Sequence, residues 1–245
     1  MRDAFRSWLL PAVDNPFEAL LGSVRFDDVA SGRRGTVLVR VCERGVPIVR
    51  TTTSYRLPAQ PFRPIHERIA EEIRQHARLT HPFDNALVEH YTRAYSKMKR
   101  HSDQAQDLAE GSSIAVYSAY RDPQRPSRRL VVRPKESGAP FEIPLEHGSV
   151  VTFSLDTNRR SLHAILPRID APDNDWLGIT FRASKTFVRF VDGHPRLQGG
   201  VRLTLADEAQ RRELLRMRRR ENEETGFSYP SVSYTLSESD LLPPE

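Results

Sequence analysis

Short runs of β-branched and aromatic residues, separated by turn residues, dominate the sequence from residue 86 to residue 190. Many short strands with turn signals between them are typical of a β-sandwich or jelly roll. The pattern therefore predicts a mainly β fold of the α+β class. The predicted strands cover residues 86–91, 113–117, 129–132, 141–145, 148–153, 162–166 and 176–182.

The first third of the chain is less regular. Residues 36–55 are rich in β-branched side chains and predict two strands, or a strand and an extended loop. No element is predicted before Thr36. After Pro64, apolar residues recur every four positions and predict an amphipathic helix that supports the sheet. These apolar residues are Ile65, Ile69, Ile73 and Ala77.

A second helix is predicted over residues 206–224, and it is strongly basic. Arginine suits phosphate, so one interpretation is a helix that contacts phosphate. Glutamates between the arginines favour the other interpretation, a solvated surface helix. The arginines concerned are Arg211, Arg212, Arg216, Arg218, Arg219 and Arg220.

Charge and cysteine content restrict the class of protein. The 245 residues include 37 Lys and Arg against 32 Asp and Glu, a net charge of +5. This balance suits an anionic partner, although it also fits a merely basic surface. The single cysteine, Cys42, excludes an internal disulfide and a Cys-rich zinc site, and its apolar surroundings predict a packed thiol. No signal peptide or membrane span is recognisable, so we expect a cytoplasmic protein without membrane contact.

His101-Ser102-Asp103 is the first candidate for chemistry. Eight histidines and 32 acidic residues in 245 positions make about one His-x-acid pair expected by chance, so the motif alone is weak. Residues two apart on a strand point to one face, however, and can offer both side chains to one ion. A second histidine would complete a face of two histidines and one carboxylate, which suits Fe(II) with open positions.

His163 is the best third ligand, because it lies in the apolar strand 162–166. A histidine in such a strand is more often a core residue, and His90 remains a competitor. Arg182 ends another apolar strand and could pair with the carboxylate of a cosubstrate.

Taken in order, these residues resemble the AlkB-like family of Fe(II)/2-oxoglutarate-dependent dioxygenases. The resemblance covers about residues 46–188 and rests on Tyr91, the H-x-D motif, His163 and the segment Gly178 to Thr186, with Thr180-Phe181-Arg182 at its centre. It implies a double-stranded β-helix with supporting helices. It also implies that His101, Asp103 and His163 bind Fe(II) and act in catalysis.

The same resemblance implies the cosubstrates 2-oxoglutarate and O2. Arg182 would pair with the far carboxylate of 2-oxoglutarate, and Tyr91 and Thr180 would assist. The implied reaction converts 2-oxoglutarate to succinate and CO2 and hydroxylates an alkyl group on the substrate. Two departures from the family pattern stand near the cosubstrate. Glu89 replaces a frequent asparagine, and Trp176 replaces a frequent arginine.

The substrate is less constrained by the sequence. The segment from Pro47 to Tyr55 is similar to one that leads to the family's substrate lid, so Arg50 and Tyr55 are predicted to contact a phosphate and a base. Ser118 and Tyr120 are predicted to line the pocket. An alkylated base in nucleic acid or a nucleotide is the first hypothesis. Hydroxylation of a free small molecule is the second, and a non-catalytic nucleic-acid-binding protein is the third.

The domain prediction is one dioxygenase domain over residues 1–245. Residues 1–85 would form an N-terminal extension with the substrate lid and the supporting helix. Residues 86–190 would form the jelly-roll core, and residues 191–245 a C-terminal helix and tail.

Overall fold

The computed structural model describes residues 1–11, 14–170 and 172–245. Within these residues the helices are α1 (Phe17–Gly22), α2 (Pro64–Ala77), α3 (Leu155–Arg159) and α4 (Glu208–Glu223), with 3₁₀ turns at Arg2–Ala4 and Glu238–Leu241. The strands are β1 (Arg6–Leu9), β2 (Asp27–Ala30), β3 (Arg33–Val39), β4 (Val46–Ile48), β5 (Gln60–Pro61), β6 (Asn85–Tyr91), β7 (Ser113–Tyr120), β8 (Arg128–Pro134), β9 (Phe141–Leu145), β10 (Ser149–Ser154), β11 (Ser161–Pro167), β12 (Trp176–Arg182), β13 (Thr186–Val191), β14 (His194–Leu197), β15 (Thr204–Leu205) and β16 (Tyr234–Thr235).

Two mainly antiparallel sheets form the body of the fold. The larger sheet has the order β1-β10-β7-β12-β6-β3-β2, and β5 pairs with β3. The smaller sheet has the order β11-β8-β9. Residues of both sheets share one buried cluster, including Val116 and Trp176 from the larger and Leu130, Ile143 and Ile165 from the smaller. Because alternate residues of a strand face opposite sides, this shared core places the sheets face to face. The predicted jelly roll is confirmed.

The outer face of the larger sheet is covered by α2. Ile69 and Ile73 of the helix pack in a second buried cluster with Leu177 and Ile179 of β12. Pro64 occupies the start of α2, where its missing N–H costs no hydrogen bond. The sequence pattern therefore located both this helix and its role.

The N-terminal region contributes more to the sheet than predicted. β1 pairs with β10, and β3 pairs with β6, so residues 1–85 supply strands of the larger sheet as well as α2. Elements exist before Thr36, contrary to prediction. β1 has no recognisable strand pattern in the sequence, because its residues are mostly exposed and do not alternate between buried and exposed positions. The second predicted strand of residues 36–55 is only β4, which ends at Ile48.

The C-terminal helix lies where it was predicted, over Glu208–Glu223. Leu214 and Met217 pack against Val232, Tyr234 and Leu236 of the following tail, which forms a small cluster of its own. The expectation of a packed Cys42 thiol is wrong, because this residue is exposed in the tight turn between β3 and β4. No helix in the described parts of the chain is both long and apolar enough to cross a membrane.

Candidate metal and cosubstrate site

The three predicted metal ligands come together at the edge of the smaller sheet. The backbones of His101 and His163 form an antiparallel bridge, with N–H···O distances of 2.9 and 2.7 Å in the two directions. Nε2 of His163 lies 3.4 Å from Oδ1 of Asp103, and Nε2 of His101 lies 3.9 Å from the same oxygen. One candidate ligand atom from each residue lies within 4.8 Å of the others. This donor set suits a divalent iron ion with open coordination positions.

Neighbouring polar groups orient two of these ligands. The His101 Nδ1–H donates to the backbone oxygen of Lys99 at 2.9 Å, which leaves Nε2 with its lone pair free. Burial and the charges of His163 and Arg218 lower the pKa of His101, so the imidazole is neutral, as a metal ligand must be. Asn158 of α3 exchanges two hydrogen bonds of 2.8 Å with the backbone of Asp103.

Arg182 fixes the carboxylate of Asp103. Its Nε and Nη2 donate to Oδ2 at 2.8 and 2.6 Å, while Oδ1 faces the two imidazoles. Burial opposes ionisation of Asp103, yet the guanidinium and the imidazoles hold its pKa well below the usual range. The predicted partner of Arg182 was the far carboxylate of 2-oxoglutarate. In the structure both of these donors go to Asp103, so Arg182 positions the candidate iron ligand.

A cavity of about 400 Å³ opens beside the three ligands. It lies between the sheets, with Leu87 and Thr180 on one wall and Leu130 and Ile165 on the other. Its charged lining is unbalanced, with five cationic side chains against two carboxylates. The cations are Arg33, Lys99, Arg100, Arg182 and Arg218, and the carboxylates are Glu89 and Asp103. Such a lining favours anionic ligands.

Tyr91 lies behind the cavity wall instead of on it. The side chain is fully buried, and its hydroxyl donates to Oε2 of Glu89 at 2.8 Å. Burial and the neighbouring Glu89 raise its pKa, so the hydroxyl keeps its proton and remains a donor. In this structure Tyr91 therefore orients Glu89, and Glu89 is the group that faces the cavity.

Trp176 and Gly178 form a complementary pair on β12. The indole of Trp176 is buried and lies so close to Gly178 that a Cβ atom there would be 1.9 Å from the ring. An aromatic side chain therefore fills the position where related proteins often carry an arginine. Because Trp176 is uncharged, β12 supplies no cation at this position.

Two of the four predicted substrate contacts, Arg50 and Tyr55, have structural partners instead. The guanidinium of Arg50 forms a buried ion pair with Asp107 at 2.7 Å and donates to the backbone oxygens of Val232 and Tyr234 in the C-terminal tail. Tyr55 is buried with its ring against Gly35. Neither side chain lines the cavity. The residues between them, Thr51, Thr52 and Thr53, do line it.

The other two, Ser118 and Tyr120 on β7, are also buried away from the cavity. The Tyr120 hydroxyl donates to the backbone oxygen of Leu145 and accepts from the backbone N–H of Arg128, which ties the two sheets together. Val116 is the residue of this strand that reaches the cavity. His90, the alternative ligand, lies 3.2 Å from Asp175 and outside the metal-ligand group.

Helix α4 contributes to the site, which sequence reasoning did not foresee. Asn222 accepts from the backbone N–H of Ser102 at 3.0 Å, and buried Glu221 accepts from that of Ala105 at 2.8 Å. These bonds hold the loop that carries Asp103. Arg218, one turn earlier, lines the cavity. Glu221 and Asn222 lie in a highly charged stretch of the sequence, which gives no signal for these contacts.

The sequence itself matches a family model. The model describes the 2OG-Fe(II) oxygenase superfamily and matches residues 36–182, well over half of the chain. The chain belongs to this superfamily. It is therefore a 2-oxoglutarate-dependent dioxygenase that uses Fe(II), 2-oxoglutarate and O2, and the hypothesis of a non-catalytic binding protein is set aside. The two imidazoles and the carboxylate fit the metal that this superfamily requires.

Solved structures add a distant likeness. The protein is similar to the structure of OsALKBH1, with 17% sequence identity and a TM-score of 0.43 over 62% of this chain and 78% of that chain. No curated protein sequence matches the chain.

Proposed function

We propose that this oxygenase is AlkB-like and hydroxylates an alkyl group on a base of a nucleic acid or nucleotide. The observation that carries the proposal is the cationic rim beside the metal-ligand group. Lys99, Arg100 and Arg218 line the cavity next to His101. A phosphate attached to the substrate would find these cations within reach while the alkylated base enters the cavity.

His101, Asp103 and His163 would hold the Fe(II). Bound there, the metal would supply the oxidation of 2-oxoglutarate to succinate and CO2 and the hydroxylation of the substrate. Arg182 keeps one oxygen of Asp103 occupied, so that the other oxygen faces the metal position. Thr180 lies on the cavity wall two residues before Arg182, and its hydroxyl would donate a hydrogen bond to the cosubstrate.

Apolar side chains line part of the cavity and would limit the entry of water. Leu87, Val116, Phe153 and Ile165 surround the space beside the ligands. Exclusion of water strengthens the interactions of charged groups inside and limits side reactions. The same apolar surface would contact the flat faces of a base or another planar substrate.

Hydroxylation of a free small molecule is the second candidate. It is favoured by the positions of the two residues predicted to contact a nucleic acid: Arg50 is paired with Asp107, and Tyr55 is buried. A cavity of about 400 Å³ is also large enough for a small acid alone. Anionic groups suit the cationic rim in both cases.

A succinate-release screen separates the two candidates. Enzyme, Fe(II) and 2-oxoglutarate are incubated with N-methylated oligonucleotides, methylated nucleotides and small acids, and succinate and formaldehyde are quantified. The proposal predicts that both products increase with a methylated base and disappear in His101→Ala. Stimulation by small acids alone, without oligonucleotide binding at low salt, would favour the second candidate.

A further inference from the structure

Arg33 places a partly buried cation at the end of the cavity away from the metal ligands. It opens β3 and pairs in register with Tyr91 on β6. Its Nε and Nη2 lie 2.8 and 2.6 Å from Oε1 of Glu89, and its side chain is 17% exposed. Although burial disfavours the charged form, Glu89 raises the pKa of Arg33, so the guanidinium stays charged.

The other cations of the cavity lie nearer the metal ligands, either with a carboxylate partner or on the exposed rim. Arg182 is paired with Asp103, and Arg218 is paired with Glu221 at 2.8 Å. Lys99 and Arg100 are exposed and directly precede His101 in the chain. On β12, the residue opposite Tyr91 is the uncharged Trp176. Arg33 is therefore the cavity-lining cation at the Glu89 end.

The region at the Glu89 end of the cavity carries more positive charge than Glu89 alone balances. Arg128 is buried nearby, with its guanidinium over the ring of Tyr91 at 5.4 Å. It donates to the backbone oxygens of Thr92 and Tyr95, and among the described residues no carboxylate pairs with it. Of these two guanidinium groups, only Arg33 has a carboxylate partner, Glu89. A buried excess of positive charge is stabilised by an anion.

The spacing suits a five-carbon diacid. Between the level of Arg182 and that of Glu89, the inner face of the sheet carries the cross-strand pair Leu87 and Thr180. Leu87 offers an apolar contact to methylene groups, and Thr180 offers a hydroxyl. One carboxylate of such a diacid would lie near the metal ligands, and the other would lie near Arg33.

We propose that Arg33, supplied by β3, binds the far carboxylate of 2-oxoglutarate in place of the arginine that β12 lacks. When the cosubstrate binds, the guanidinium of Arg33 turns part of its hydrogen bonding from Glu89 to the incoming carboxylate. Tyr91 continues to hold the other oxygen of Glu89. The inference rests on the proposed metal site but is independent of the substrate that is oxidised.

Binding measurements with two keto acids test this inference. The dissociation constants of 2-oxoglutarate and 2-oxobutanoate, which lacks the far carboxylate, are measured by calorimetry on Mn(II)-loaded protein without turnover. Arg33→Gln is expected to weaken 2-oxoglutarate binding about 30- to 100-fold, since two charge-assisted hydrogen bonds are lost. Binding of 2-oxobutanoate should change less than about threefold. Arg33→Lys should fall between Arg33→Gln and the unmodified protein, and Arg25→Gln, an exposed arginine outside the cavity, should match the unmodified protein.

The outcomes separate this inference from the proposed metal site. Equal weakening of both keto acids in Arg33→Gln, or no weakening of 2-oxoglutarate, would overturn the role of Arg33. Failure of the unmodified protein to bind Mn(II) would instead overturn the metal site. Glu89→Gln provides a test of opposite sign: removal of the competing charge should tighten 2-oxoglutarate binding, and a loss of binding there would also contradict the inference.

Discussion

Replacement of Arg182 by methionine tests the role of the Arg182–Asp103 pair. Both side chains are buried, with 7% and 8% of their surfaces exposed, and two donors of Arg182 meet one oxygen of Asp103. Removal of one partner of a buried ion pair leaves an uncompensated charge and typically costs about 3–5 kcal/mol. We therefore expect the free energy of unfolding of metal-free Arg182→Met to fall by that amount.

The pair energy can be isolated with a double-mutant cycle. Arg182→Met, Asp103→Asn and the double variant are unfolded with urea in the absence of metal. The double variant should be more stable than the sum of the single effects by at least about 2 kcal/mol, because each single change strands the partner. Arg182→Lys serves as a matched control that keeps the charge and loses the paired donors. Its free energy of unfolding should lie between those of Arg182→Met and the unmodified protein.

Metal binding supplies a second readout of the same pair. In Arg182→Met, a divalent cation next to Asp103 replaces the missing positive charge, so saturating Mn(II) should restore part of the lost stability. Additive single effects in the cycle, or a loss below about 1 kcal/mol in metal-free Arg182→Met, would refute the reasoning.

Three further predictions concern stability and the loop that carries the ligands. Gly178→Ala should cost about 3 kcal/mol in chemical denaturation because its Cβ would lie 1.9 Å from a buried indole, whereas Gly22→Ala, which meets no atom within 4 Å, should be close to neutral. Burial lowers the pKa of His66 to about 4, below its unfolded value. The contribution of neutral His66 to the free energy of unfolding is therefore complete above pH 6.5, and it falls by about 3 kcal/mol as the pH drops to 4. His66→Gln should flatten that part of the pH profile, and an unchanged slope would disprove its origin. Asn222→Ala removes the acceptor for the Ser102 N–H and should weaken Mn(II) binding about tenfold, measured by titration; unaltered binding would show that α4 does not position the loop.

The sequence predicted the elements of the core well because their signals are local. Apolar runs of strand length and a four-residue apolar repeat depend on residues close in the chain, and both β12 and α2 appear at the predicted limits. The ligand set His101, Asp103 and His163 was predicted from order and spacing, and these residues meet in the structure because a backbone bridge joins the two histidines.

The remaining features depend on contacts between distant residues, and these leave no local pattern. Arg50 looked available for a substrate phosphate, but Asp107 and the C-terminal tail, more than 180 residues away, occupy its donors. Arg33 lies in a segment where no element was predicted, so its place in the cavity could not be inferred. The edge strand β1 and the contacts of α4 with the metal-ligand loop were missed for the same reason.

Metal titration of the unmodified protein and of His163→Ala tests the central claim most directly. Calorimetric titration with Mn(II), under anaerobic conditions with Fe(II) as a check, should give one site per chain in the unmodified protein. His163→Ala should lose that site, whereas His147→Ala, a histidine outside the ligand group, should keep it. Stoichiometric binding that survives in His163→Ala would contradict the assignment of the metal centre.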